Sequence, residues 1–129
     1  MQAELGSCSI NDIAVALASP VVSIHYNKEE VCIYGGAVHL SKDKSMSSSF
    51  GKVAVRSNDD LKVIEGAIVD RVSQEHGMIK LPKKELDKIC LGDVLYILPI
   101  HSCLTAENMG EYYSKSSTRL DHYAQKKRD

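Results

Sequence analysis

The chain has no tryptophan and a single phenylalanine, Phe50, in 129 residues. So few flat side chains weigh against a single-strand nucleic-acid barrel, which holds successive bases by stacking them on aromatic rings. An excess of one charge is missing too. Lys and Arg number 16 against 17 Asp and Glu, a formal net charge of -1, so no broad field favours nucleic acid or an anionic membrane surface. No apolar run approaches the roughly 20 residues that span a bilayer. Met1 is followed by neither a basic segment nor a signal-like core, and the expected location is the cytoplasm. Cys8, Cys32, Cys90 and Cys103 form no CxxC pair and read as free thiols. The sequence also lacks a Gly-x-Ser-x-Gly elbow, a GxxxxGK[ST] phosphate loop and a conspicuous acidic pair, which removes the sequence grounds for a hydrolase.

What is present reads as one domain of short strands. Large and small residues alternate from Ile13 to Ala18, predicting a strand covered on both sides that Pro20 interrupts. Val21 to Ile24 resumes it, and Tyr26-Asn27-Lys28 turns the chain into a hairpin partner at Val31 to Tyr34. Ser41 to Ser49 reads as a loop, and further strands are expected at Lys52 to Arg56 and within Val63 to Ser73, with a bulge at Gly66. Met78 to Leu81 forms another strand, ended by Pro82; a helical turn fits within Lys83 to Ile89. After the turn Leu91-Gly92-Asp93, Val94 to Leu98 is the most strand-like run of all. Many short strands with little helical periodicity predict an all-β fold, a small barrel or sandwich of mostly antiparallel strands with irregular loops. The tail from Glu111 to Asp129 is less patterned, and Lys126-Lys127-Arg128 reads as a solvated end.

The functional groups gather in three places. Pro99-Ile100-His101-Ser102-Cys103 sets an imidazole and a thiol two residues apart beyond the last strong strand. If the strand continues, period-two alternation turns both side chains the same way. Together they would supply two zinc ligands and leave coordination positions open. A packed thiol beside a hydrogen-bonded imidazole is the competing reading. Second, Ser73-Gln74-Glu75-His76-Gly77 puts a carboxylate beside an imidazole. Such a pair can orient a metal ligand, or its polar groups can simply satisfy a turn. Third, His39 follows Gly35-Gly36, where the glycines read as a tight turn or barrel corner rather than the start of a helix. His25 and His122 read as exposed, Cys8 and Cys32 as packing residues.

Ser-Gln-Glu-His-Gly (73–77), Leu-Gly-Asp (91–93) and Ile-Leu-Pro-Ile-His-Ser-Cys (97–103), in this order and spacing, resemble the C-terminal β domain of the D-serine dehydratase and D-threonine aldolase family. These are alanine-racemase-like enzymes that use pyridoxal phosphate. The resemblance runs from about Gly6 to Thr105 and takes residues 1–129 as a single such domain. It implies that His101 and Cys103 hold a divalent metal, with Gln74, Glu75 and His76 around it. The thiolate favours zinc over manganese or magnesium. It further implies a lyase acting on a β-hydroxy D-amino acid, zinc polarising the β-hydroxyl, and a homodimer in the complete enzyme. The pyridoxal phosphate and its Schiff-base lysine would belong to a separate (β/α)₈ barrel, which needs about 250 residues by itself. By that reading the chain is an excised or truncated domain, inactive alone. The alternative is a stand-alone β-barrel module that binds metal or a protein partner and catalyses nothing.

Overall fold

A computed structural model describes residues 2–120 of the chain. Six strands make up its main body: β1 (Leu17–His25), β2 (Glu30–Ile33), β3 (Gly51–Ser57), β4 (Asp60–Val72), β5 (Gly77–Lys80) and β6 (Val94–Pro99). They close into an antiparallel barrel in the order β1-β2-β5-β4-β3-β6, because β1 pairs with both β2 and β6. A closed ring leaves no edge strand with unpaired backbone groups. The short helices α1 (Ala37–Leu40), α2 (Lys83–Leu86) and α3 (Ser102–Met109) sit in the connections, and β7 (Tyr112–Tyr113) pairs with β8 (Arg119–Leu120) in a separate hairpin. The expected all-β fold is observed, and of the two forms it left open, barrel or sandwich, it is the barrel.

The core is the inward face of the strands. Val21, Val31, Ile33, Val53, Val69, Ile79, Leu95 and Ile97 are all fully buried. Leu40 of α1 and Leu86 of α2 join the same cluster. Each such side chain contributes about 1.5–3 kcal/mol by leaving water. Gly66 has φ +77 and lies in the expected bulge. On one side of it Lys52 pairs with Ile68, on the other Ala54 pairs with Val63, so β4 carries extra residues between them.

Four local expectations are corrected. Ile13 to Ala16 is not strand: pairing of β1 with β6 begins only at Leu17, and Ala14 and Ala18 are exposed rather than covered. Pro20 lies inside β1 instead of interrupting it. There the pairing of β1 passes from β6 (Leu17–Pro20) to β2 (Val21–His25), and its carbonyl still accepts from Tyr34 N–H at 3.0 Å. Gly35-Gly36 does open a helix, with Gly36 as the N-cap of α1. His25 is half-buried, its Nε2 3.2 Å from Ser23 Oγ. His122 and the basic run at 126–128 lie outside the described residues.

Antiparallel closure sorts the connections between two mouths. The ends of β2, β4 and β6 and the starts of β1, β3 and β5 share one mouth, as the pairs Ile33–Gly77, Val72–Gly77, Gly51–Pro99 and Leu17–Ile97 show. Two devices organise that mouth. At Gly36 a Cβ would lie 2.5–2.6 Å from the backbone of Gln74, Glu75 and His76, so only glycine lets α1 start against the β4–β5 turn. Thr105, 2% exposed, joins α1 to α3: its Oγ1 donates to Leu40 O at 2.9 Å and its N–H to His101 O at 3.1 Å.

Two stability predictions follow from these contacts. Gly36→Ala forces the two backbones apart and should cost about 1–3 kcal/mol, as overpacking does, read as a lower urea midpoint. Thr105→Val keeps the volume but strips the buried Leu40 carbonyl of its hydroxyl donor, a loss of about 1–3 kcal/mol. Unchanged midpoints for both variants would show that the mouth is not held in this way.

Candidate metal site at the barrel mouth

All the candidate residues singled out in the sequence converge on this mouth, although they arrive from different connections. His39 comes from α1, Gln74, Glu75 and His76 from the β4–β5 turn, and His101 and Cys103 from the segment after β6. Strand alternation is not what orients the last two. The strand ends at Pro99, His101 is the N-cap of α3 with φ −127 and ψ 89, and Cys103 lies in the first turn of that helix. What brings the pair to the mouth is the start of a helix, not a strand face.

Both side chains are exposed, which removes the reading of Cys103 as a packed core thiol. Cys32 is the contrast: it is partly buried, and burial pushes its thiol above the usual range. The His101 ring meets Asp43 from the Ser41–Ser49 loop, with Nδ1 3.0 Å from Oδ2. An ionised carboxylate can only accept, so Nδ1 is the donor and the neutral ring carries its lone pair on Nε2. An exposed nitrogen lone pair beside an exposed thiol is a donor set that suits zinc. Among the described residues no three His, Cys, Asp and Glu side chains are grouped to enclose an ion. His101 and Cys103 are two exposed residues of metal-compatible type, two positions apart at this mouth.

At the same mouth stands a group of three rings, of which the sequence singled out His39 and His76 but not Tyr34. Tyr34 stands edge-on to His39, with centroids 5.3 Å apart, and to His76 at 5.5 Å. Gly36 N–H donates to His39 Nδ1 at 3.1 Å, which leaves the proton of the neutral ring on Nε2 as an outward donor. The β4–β5 turn is bound to α1 by Ala37 N–H to Ser73 O (2.9 Å) and Val38 N–H to Gln74 O (3.1 Å). Ser73 closes the turn, its Oγ accepting from His76 N–H at 3.3 Å; for Ser73 the turn-satisfying reading is the observed one. Gln74 and Glu75 are exposed.

Asp43 and Tyr34 carried no local signal of their role. Asp43 is 58 positions from His101, and Tyr34 looks in sequence like the end of a strand. The site is a rim rather than a closed cavity. A groove of about 550 Å³ beside the β7–β8 hairpin is lined by Tyr96, Thr105, Met109 and Tyr112, and includes none of Tyr34, His39, Asp43, His76, His101 and Cys103. Among the described residues no helix is long and apolar enough to cross a membrane.

Comparison with known proteins places this geometry in context. Residues 14–114 match the model of the serine dehydratase domain. The chain is 30% identical over 121 residues to a D-serine dehydratase of Dictyostelium discoideum, covering 88% of this chain and 29% of that protein. A crystal structure of an alanine-racemase-like protein from Idiomarina loihiensis superposes with a TM-score of 0.80 at 26% identity, over 92% of this chain and 33% of the other. D-threo-3-hydroxyaspartate dehydratase from Delftia sp. HT23 shares the fold, with a TM-score of 0.76 at 20% identity over 92% and 35% of the two chains. Two variants of a D-threo-3-hydroxyaspartate dehydratase are also matched. One has a histidine replaced by alanine, and the other, in the metal-free form, a cysteine two positions further on. The chain spans about a third of the length of these relatives. With the family model covering all six barrel strands and the mouth, the chain belongs to the serine dehydratase domain family.

Proposed function

We infer that the chain is the metal-bearing β domain of a dehydratase acting on a β-hydroxy D-amino acid, with His101 and Cys103 as protein ligands of a zinc ion. The observation that carries this reading is the His-x-Cys pair at the barrel mouth, with its Nε2 lone pair and thiol both open to an incoming ion. The same spacing separates the histidine and cysteine replaced in the hydroxyaspartate dehydratase variants, the cysteine variant being in metal-free form. Bound there, zinc would supply a Lewis acid for the departing β-hydroxyl.

The other mouth residues have supporting tasks. The His39 Nε2–H and the His76 ring, braced against Tyr34, border the space beside the ligands and can bind polar ends of a small amino acid. Gln74 and Glu75 project from the same turn and complete that border. The rim is open, so a second surface must exclude water and carry the electron-withdrawing cofactor. In this reading that surface is a pyridoxal phosphate-binding barrel domain, contributed within a homodimer, and no lysine of this chain is assigned to the cofactor.

The purified 129-residue chain is accordingly expected to break down neither D-serine nor D-threonine in the presence of pyridoxal phosphate. Turnover by the chain alone would contradict the division of labour. Joined to the barrel domain of a family member, it should acquire dehydratase activity and bind zinc. Cys103→Ala should then lower activity by roughly 100-fold or more, as expected when a Lewis acid worth several kcal/mol is lost. Equal activity and equal zinc content in parent and variant would exclude Cys103 as a ligand.

A further inference from the structure

We propose that Asp43 is a positioning residue: it holds His101 in the tautomer and orientation in which Nε2 can take a metal ion. This rests on the reading of His101 as a ligand, and adds to it a residue from a different loop that touches the ligand on its far side. The carboxylate accepts from Nδ1–H at 3.0 Å, so the proton is kept off Nε2. An imidazole left to water prefers the opposite tautomer, with Nε2 protonated and closed to a metal. Metal-ligating histidines are generally oriented in this way, through the ring nitrogen that does not bind the metal.

The surrounding contacts give Asp43 a fixed place from which to act. Its own N–H donates to Ser41 Oγ at 3.2 Å, a tight turn immediately beyond α1. Three residues before it, the Leu40 carbonyl accepts the Thr105 hydroxyl at 2.9 Å. The Thr105 N–H in turn donates to the carbonyl of His101 itself at 3.1 Å. One threonine therefore ties down both the loop that presents the carboxylate and the residue that receives it. Asp43 and His101 are each a little under half exposed, 44% and 46%, so the ring remains open to an ion while one of its nitrogens is held.

The test uses the 129-residue chain and has two readouts. Nitrogen-15 NMR of the His101 ring at mildly alkaline pH, without metal, reports the tautomer; zinc titration followed on the same ring reports affinity. In the parent chain His101 should carry its proton on Nδ1. Asp43→Ala should shift the population towards Nε2–H and weaken zinc binding about 10–100-fold, the usual effect of losing such a partner. Asp43→Asn keeps an oxygen acceptor, and should retain the Nδ1–H tautomer with a distinctly smaller loss. Were Asp43 itself a ligand, the Asn and Ala variants would lose affinity alike, which would overturn the proposal. It is equally overturned if Asp43→Ala changes neither tautomer nor affinity while His101→Ala abolishes binding; the metal site would then stand without it. If His101→Ala binds zinc as tightly as the parent, the ligand reading fails and this inference falls with it.

Discussion

Closure of the antiparallel ring by β1 is the constraint from which the rest follows. Because β1 pairs with β2 on one side and β6 on the other, every connection must leave through one of two mouths. The segments after β2, β4 and β6 have no choice but to meet. Those segments hold Tyr34, His39, Asp43, Gln74, Glu75, His76, His101 and Cys103. A cluster drawn from residues nearly 70 positions apart in sequence is thus a consequence of strand pairing, and the pairing is held by the apolar core inside it.

Ring closure brings the segments near, but their relative placement at the level of side chains depends on fewer atoms. Gly36 sets how closely α1 approaches the β4–β5 turn, and Thr105 sets how α1 stands relative to α3. α1 and α2 have four residues each and α3 only eight; helices so short have little stability of their own. They persist here because their ends are satisfied from outside, α1 by the Ser73 and Gln74 carbonyls at its start and the Thr105 hydroxyl at its end. The mouth is stable only as a unit, with each connection supplying hydrogen-bond partners for the next.

The barrel strands were legible because their signals are local: alternating β-branched residues, Gly66 at a bulge, Pro82 after a strand, Leu91-Gly92-Asp93 at a turn. Errors arose where a distant partner decides. Ile13 to Ala16 has strand patterning but makes no ladder pairing, which starts at Leu17. Pro20 looks like a break, yet sits where pairing changes hands. The helices α1 and α3 are too short to show a period, and their supporting bonds come from other connections. The same division holds for the site. His101, Cys103 and the turn at 73–77 were visible as chemistry-bearing residue types at short spacing. The ring of Tyr34 between two histidines, and the carboxylate of Asp43 on His101, exist only after folding.

The central claim is that this mouth presents His101 and Cys103 to one zinc ion. X-ray absorption at the zinc edge, on the zinc-loaded chain, tests it most directly. The account predicts one sulfur neighbour at about 2.3 Å and nitrogen or oxygen neighbours at about 2.0 Å, with the sulfur lost in Cys103→Ala. A shell of nitrogen and oxygen only in the parent chain, or a sulfur neighbour that survives the substitution, would contradict it.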